Sequence, residues 1–426
     1  MNYTPSQQQA LDLFYQFLSD PTEPNFVLSG GSGKGKTFIA AEMLNLIKHH
    51  DEFMMTINDS HSPYTVFVTA TTNQAAERLS YSTHIPVTTI HSLLSLTVKD
   101  NYHTGKTELR QSNKAFNKIY NSIVFIDEAS MINQELEDFI QSSIDMNTCK
   151  IVRIGDPDQI LAVDSNEPTG LLISTKYSIT LVEYCRAAAD NPITMLGEQF
   201  RQMIYTGEAP IIKPADTIVL LDGKQTKSTI DNLFHSVDQN FLDAKVITFT
   251  NKKCVEYGSY IRKKFYDSDL FQPKEILVTN GPILAKDGQK VLFGNNNYVR
   301  VINCSETADE IQGVQYPIYR VTLKSLFNND NTEVITYCFK YPEQLRTILG
   351  KLYRDRQYSD YFTIKNRYAD LRQTNSMTGH KAQGSTFKNV LIDMADFRTC
   401  SDKTMFARMA YTVCTRPTDT LYIRGA

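Results

Sequence analysis

Short apolar runs alternate with longer amphipathic stretches through the first part of the chain. The runs are "NFVLS" (25–29), "YTVFVTA" (64–70), "SIVFIDE" (122–128) and "CKIVRIGD" (149–156), and between them lie "TFIAAEMLNLIKHH" (37–50) and "NQAAERLSY" (73–81). A buried strand of a parallel sheet reads as a nearly continuous apolar run, and the helix that returns the chain reads with a 3.6-residue period. The alternation therefore predicts an α/β fold built from crossover units. It returns in "AKVITFT" (244–250), "NKKCVEYGSYIRKKF" (251–265), "NVLIDMA" (389–395) and "DTLYIRGA" (419–426), so a second α/β domain is expected. Such sheets bind ligands beyond the carboxyl ends of their strands. Each apolar run here is followed there by a polar or Gly-rich segment.

Two stretches break this rhythm. Residues 279–372 carry short β-like segments ("QKVLFGNNNYVRVIN", "YPIYRVTLKSL", "EVITYCFK") and then a helical stretch rich in Tyr, Arg and Lys, which predicts a small β-barrel-like insertion. Residues 92–112, "SLLSLTVKDNYHTGKTELRQS", read as two extended arms around a turn at Gly105, a projecting hairpin.

Composition narrows the class without naming a chemistry. A length of 426 residues gives a prior of about three domains, and 41% hydrophobic with 21% charged residues is ordinary for a globular chain. "MNYTPSQQQALDLFYQFLSD" lacks the pattern of a signal peptide and no apolar run reaches membrane-spanning length. The expectation is a cytoplasmic protein, in host cytoplasm if phage-encoded, with no membrane partner. Seven cysteines without a CxxC pair predict reduced, mostly packed thiols and no zinc site. A net charge of −3 argues against coating nucleic acid through overall charge, so any such site must be a local groove.

The segment "SGGSGKGKTF" fits G-x-x-x-x-G-K-[ST] at Gly30, Gly35, Lys36 and Thr37, between a strand-like and a helix-like run. Glycines let backbone N–H groups converge on phosphate oxygens, the following helix adds its dipole, and a threonine hydroxyl can ligate magnesium. Lys36 is placed to grip β- and γ-phosphates, and Lys34 is expected to be a solvated loop charge. "SIVFIDEAS" ends a strand in Asp127 and Glu128, one to hold magnesium and the other to orient or deprotonate water. Gln159 in "RIGDPDQI" is placed at another strand end to reach the γ-phosphate or that water.

These segments, taken in order with "VTATTNQAAERL", "TTIHSLL", "LVEYCRAAADNPI", "SMTGHKAQGSTF" and "YTVCTRPTDTLYI", resemble superfamily 1B helicases of the Dda-type branch, related to RecD-like helicases. The resemblance spans nearly the whole chain. It implies two RecA-like motor domains, 1–175 with a pin-like hairpin at 92–118, and 176–278 plus 373–426, with an SH3-like barrel at 279–372. It implies an ATP- and magnesium-dependent monomeric motor moving 5′ to 3′ on single-stranded DNA, opening forked DNA in replication or recombination, beside single-strand-binding or other replication proteins. Arg186 and Arg416 become γ-phosphate arginines and Gln7, with Gln8 and Gln9 alongside, the adenine reader. Gly31, Ser32, Gly33, Lys34, Phe38 and Gly384 complete the nucleotide site. Three departures stand out: Lys34 for a small hydroxyl residue, Ala162 for a proline, and Pro417 for a small residue.

Within the same motifs, Thr71, Asn73, Thr89, His91, Thr250, Asn251, Thr378, His380 and Lys381 offer short polar groups at strand ends, suited to phosphate contacts that carry no sequence information. Tyr102 and His103 at the hairpin tip are expected to stack on the last base pair. Two basic clusters, 245–264 and the aromatic-rich 340–372, are further candidates for strand contact, the second equally readable as a solvated helix over a core. The rival readings are a DNA-stimulated ATPase switch that recruits partners without unwinding and a small-molecule phosphotransferase. A nuclease is less supported, because no metal cluster of acids is apparent.

Overall fold

The computed structural model describes every residue except 1–2, 59–61, 74, 77–78, 81–84, 113–116, 163–164, 166, 185–190, 237–242, 286–289 and 327–331. In chain order the first strands are β1 (Asn25–Gly30), β2 (Thr65–Ala70), β3 (Thr88–Thr89), β4 (Leu96–Asp100), β5 (Thr107–Gln111), β6 (Ser122–Asp127), β7 (Lys150–Gly155) and β8 (Ser178–Leu181). Six of them form a sheet in the order β3-β2-β6-β7-β1-β8, with each neighbouring pair parallel. β1, β6 and β7 are buried along nearly their whole length because helices cover both faces, as the continuous apolar runs require. Phe14, Phe26 and Phe125 anchor one face and Val27, Val124, Ile126 and Ile151 the other.

Two buried cations lock this layer. Arg153 inside β7 is fully buried and donates to both carboxylate oxygens of Glu137 at 2.8 and 2.9 Å. Lys150 donates to the carbonyls of Phe17, Asp20 and Glu23, tying the exit of the first helix (Pro5–Ser19) to the sheet.

β9 (Ile218–Leu221) and β10 (Ala244–Thr248) open the second half. They are followed by β11 (Ile276–Thr279), β12 (Ile283–Leu284), β13 (Val291–Phe293), β14 (Tyr298–Ile311), β15 (Val314–Ser325), β16 (Glu333–Phe339) and β17 (Leu371–Gln373), then β18 (Ser376–Thr378), β19 (Phe387–Asp393) and β20 (Pro417–Arg424). A second parallel sheet runs β18-β10-β19-β20-β9, and an antiparallel sheet runs β16-β15-β14-β11-β17 around the long β14–β15 ribbon. Pro417 is the first residue of β20, where a missing N–H is tolerated. Ile160, just past β7 of the first sheet, belongs to the core of the second with Phe387, Val390 and Tyr411. The two parallel sheets therefore share an interface at the carboxyl end of β7.

Three expectations change here. The hairpin ladder starts at Leu96 rather than Ser92, because Thr89 caps a helical turn at Ile90–Leu93 by accepting from the Ser92 N–H at 3.1 Å. The basic cluster at 245–264 is partly spent inside the protein, with Lys252 and Lys263 left exposed. Lys245 is fully buried and donates to the Thr374 carbonyl, Arg262 pairs with Glu275 at 2.8 Å, Lys253 with Glu256 at 2.7 Å, and Lys264 caps the Phe234 carbonyl. In the 340–372 segment, Tyr353, Tyr358, Tyr361 and Phe362 pack edge-on against one another, the cluster reading that the sequence held open. Among the described residues the cysteines are unpaired, and no helix is long and apolar enough to cross a membrane.

Burial pushes the Lys245 ammonium down to about 7, against about 10.4 in an unfolded chain. Between those values the unfolded state holds more protons, so the folded state gains up to about 1.4 kcal/mol per pH unit as pH rises. Lys245→Met, which fits the same channel without a charge, should raise stability most near pH 7 and progressively less toward pH 10. Urea unfolding of both proteins at three pH values measures it; parallel pH curves would contradict the assignment.

Candidate nucleotide and nucleic-acid site

The loop after β1 enters the helix Lys36–Ile57 with all of residues 31–38 half-buried. Lys36 lies folded over this loop, its ammonium donating to the carbonyls of Gly30 at 2.7 Å and Gly31 at 3.1 Å. These are weak holds for a cation that a phosphate would attract more strongly. Lys34 is not the solvated charge expected. Its ammonium sits 4.9 Å from the centre of the Tyr184 ring, and burial, then the nearby Arg201 charge, pulls it below the usual lysine range. The Tyr184 hydroxyl in turn donates to Glu198 at 3.1 Å, and Arg201 bridges Glu198 and Asp158. Gln7 is buried, closes a capping box with Thr4, and reaches the Lys34 carbonyl at 3.5 Å. The Phe38 ring lies 6.0 Å from Tyr3.

β6 delivers the acid pair. Asp127 ends the strand and its carboxylate accepts from the Glu128 N–H at 2.9 Å, while Glu128 takes a left-handed backbone (φ 54°) that turns its side chain off the strand line. Thr71, at the end of adjacent β2, donates its N–H to the Asp127 carbonyl and its hydroxyl to the Glu128 carbonyl, both at 3.3 Å. Across the cleft lies Gly384 of the second parallel sheet, where a β-carbon would stand 3.8 Å from Glu128 Oε1. Gln159 is buried; its Nε2 donates to Asp156 at 3.0 Å and its Oε1 has no partner among the described atoms.

Arg416 comes from the second sheet and is 3% exposed. Its Nε donates to the Thr412 carbonyl at 2.8 Å, one terminal nitrogen to the Ser385 carbonyl at 3.2 Å and the other to the Thr415 hydroxyl at 2.9 Å. It therefore rests beside Gly384, within the second sheet's own loops. Arg186 lies outside the described residues. Thr37 at a helix start and Asp127 at a strand end offer a hydroxyl and a carboxylate, the hard oxygen donors that magnesium shares with phosphate and water.

Sequence reading singled out neither Asp156, Tyr411 nor Gln383. Asp156 accepts from the Tyr411 hydroxyl at 2.8 Å, and that hydroxyl accepts the Ser32 N–H at 3.1 Å. The signal was present in part, since Asp156, Gln383 and Tyr411 all lie inside quoted motifs, Tyr411 as the first residue of "YTVCTRPTDTLYI".

The strand candidates divide. Asn251 accepts from Arg372 at 2.6 Å, and Lys381 donates to Asn280 at 2.5 Å; with Thr378, Asn251, Arg372 and Lys381 line one cleft between the second parallel sheet and the antiparallel sheet. Arg372 ends the 340–372 basic cluster without having been singled out, and Asn280 was not anticipated. Thr250 spends its hydroxyl on Asp396 and on capping the helix Asn251–Lys263. Thr89 is committed to its own cap. Burial lowers the pKa of His91 and His380, favouring neutral imidazoles. Asn73 is exposed and its amide comes near Gly294 of the antiparallel-sheet segment.

The β4–β5 hairpin does not project freely. Tyr102 is half-exposed, with its ring edge-on to Phe362 at 5.4 Å, and Asn366 donates to Asp100 at 2.7 Å. Gly105 (φ 72°) presses on Tyr358, where a β-carbon would stand 2.5 Å from the ring. His103 is exposed, and its N–H and that of Thr104 bind the Asn101 side chain, fixing the turn.

Residues 18–165 match the AAA domain family. The chain is 23% identical to an uncharacterised protein of Acanthamoeba polyphaga mimivirus over 98% of this chain and 99% of that protein. It is 22% identical to the ATP-dependent DNA helicase dda of Enterobacteria phage T4, over 91% of this chain and 92% of the helicase. Among solved structures it is similar to the Pif1 helicase from Bacteroides in complex with ADP-AlF3 and ssDNA. That superposition has a TM-score of 0.51 at 13% identity and covers 100% of this chain and 93% of the other, a likeness of fold.

The hairpin docking rests on Gly105, whose left-handed backbone costs other residues about 1–2 kcal/mol even before the Tyr358 ring is met. Gly105→Ala should speed amide hydrogen exchange in both 96–111 and 353–366 while the two parallel sheets keep wild-type protection. Unchanged exchange in both segments would show that the hairpin does not depend on this contact.

Proposed function

We infer that the chain, a superfamily 1B helicase of the Pif1/Dda-like type, hydrolyses ATP to drive a motor along single-stranded DNA and part the duplex ahead of it. The observation that carries the reading is the convergence, at one cleft between two parallel sheets, of Lys36, Asp127, Glu128 and Gln159 with the Gly384–Arg416 corner of the other sheet. The motor units are taken as 1–175 and 176–278 plus 373–426, with 279–372 inserted.

Bound ATP would draw Lys36 from the Gly30 and Gly31 carbonyls onto phosphate oxygens. Glu128 would take a proton from water as its oxygen attacks the γ-phosphorus, while the bond to the bridging oxygen breaks and ADP leaves. Magnesium, held through Thr37 and Asp127, would supply neutralisation of phosphate charge. Gln159 would position the water through its unpartnered amide oxygen. Arg416 would exchange its carbonyl partners for the γ-phosphate, joined by Arg186, so the closed cleft is favoured only while that phosphate is present. Gln7, beside the loop, is placed to read adenine.

For the strand, we assign Thr71, Asn73, His91, Asn251, Thr378, His380, Lys381 and the newly found Arg372 to backbone phosphates, with single-stranded and forked DNA as partners. The T4 relative is named a DNA helicase, and the Bacteroides protein was solved with ssDNA, which supports this substrate class. Tyr102 and His103 would meet the duplex junction. Movement is taken as 5′ to 3′, and the chain as a monomer serving replication or recombination.

Strand displacement on duplexes bearing either a 5′ or a 3′ single-stranded tail tests substrate and polarity together. Activity confined to the 5′-tailed duplex is expected, and activity confined to the 3′-tailed one would reverse the assignment. Lys36→Ala should lower DNA-stimulated ATP turnover by ~100-fold or more, as loss of a transition-state contact does. Lys34→Thr should retain turnover within a few-fold, and the opposite ranking would show the lysines to be exchanged.

A further inference from the structure

Tyr411 joins three parts of the molecule through one oxygen. Its ring lies in the core beneath the second parallel sheet and is 3% exposed. Its hydroxyl leaves that core, donates to Asp156 at the end of β7 and accepts the Ser32 N–H in the loop after β1. Gly31 shows how closely the loop is fitted to it: a β-carbon there would stand 3.0 Å from the phenol oxygen. Asp156 is 1% exposed and is held from its other sides by the Asp158 N–H at 3.1 Å and the Gln159 amide at 3.0 Å.

Backbone N–H groups of a glycine-rich phosphate loop bind by donating to phosphate oxygens. The Ser32 N–H belongs to that set, and a phenol oxygen holds it. One N–H offers one strong bond, so a phosphate oxygen and the phenol compete for it. The helix carrying Tyr411 (Lys403–Cys414) ends two residues before Arg416 and contributes Arg408, which donates to the Gln159 carbonyl at 3.1 Å. A displaced phenol would therefore act on the helix that bears the arginine corner and touches the water-positioning glutamine.

We propose that Tyr411 is a positioning residue that competes with phosphate for the Ser32 N–H of the loop and reports nucleotide arrival to the second motor unit by being displaced from Ser32. The inference rests on the ATP-binding half of the function proposed above. It requires no covalent step: one hydrogen bond is exchanged, the Ser32 N–H passing from the phenol to a phosphate oxygen, while the phenol keeps Asp156 as acceptor.

Tyr411→Phe keeps the buried ring and removes the competitor. In the full chain, titration with fluorescent ADP should then show roughly three- to tenfold tighter binding, the worth of one net hydrogen bond. ATP turnover without DNA should rise relative to turnover with DNA, because the second unit no longer senses loading. A residue needed only for packing would give the opposite sign, weaker ADP binding with a lower unfolding temperature, and that result, or unchanged affinity, overturns the proposal. A second reading uses the wild-type chain: ADP should increase hydrogen exchange in 403–414, and no change there also overturns it. Wild-type protein that binds ADP with these signatures yet never displaces a strand would sink the helicase reading and leave this one standing.

Discussion

Backbone N–H groups gathered in a tight loop must find acceptors, and the cleft is organised by which acceptors they find. The loop after β1 carries such donors, which a bound phosphate would satisfy. The lone observed substitute is a phenol lent by the other sheet, and Lys36 leans on the loop's own carbonyls. Both are poorer partners than a phosphate oxygen, because neither carries a full charge. A phosphate oxygen, which carries that charge, would have to displace both contacts to bind. The two sheets are coupled because one of the substitutes belongs to each.

That coupling requires the frame around the cleft to be stiff, and the buried cations make it so. Arg153 is matched to Glu137 by two parallel hydrogen bonds, Lys150 gathers three carbonyls at a helix exit, and Lys245 donates to Thr374 with its ammonium 5.0 Å from the centre of the Phe387 ring. A buried charge is costly unless satisfied, so each of these side chains holds its neighbours to one geometry. Lys150 and Arg153 lie on β7, the strand whose end carries Asp156 and Gln159. Rigidity at β7 fixes the two polar groups that a water and a phenol must share.

How much of this was legible in the chain follows from how local each feature is. The strand–helix alternation and the phosphate loop are written in neighbouring residues, and the structure has Lys36 at the start of its helix, Asp127 at the end of β6 and Glu128 just past it. Lys34 was misread because its partner, Tyr184, is 150 residues away in the chain. The 245–264 cluster failed for a related reason: counting charges cannot see carbonyl oxygens, and Lys245 and Lys264 are occupied by them. Tyr411 opens the quoted motif "YTVCTRPTDTLYI" yet was passed over, since its importance lies in where the hydroxyl emerges, and a glycine at position 31 is only half of that contact. Helical capping at Thr89 likewise overrode the extended reading of residues 92–95.

The hairpin shows the same dependence of a functional element on distant residues. A two-stranded ribbon is at best marginally stable alone in water, and each base-pair step of duplex DNA holds with about 1.4 kcal/mol of stacking. A ribbon set to bear such a load could not rely on its own ladder. Here the tip is held by the Asn366–Asp100 hydrogen bond and by Tyr102 against Phe362, which is itself fixed in the cluster of Tyr353, Tyr358 and Tyr361. The aromatic residues, which the sequence left open between base stacking and a packed core, form the abutment for the ribbon. A load on the tip would therefore be shared by two bodies, the first sheet that bears the hairpin and the insertion that braces it.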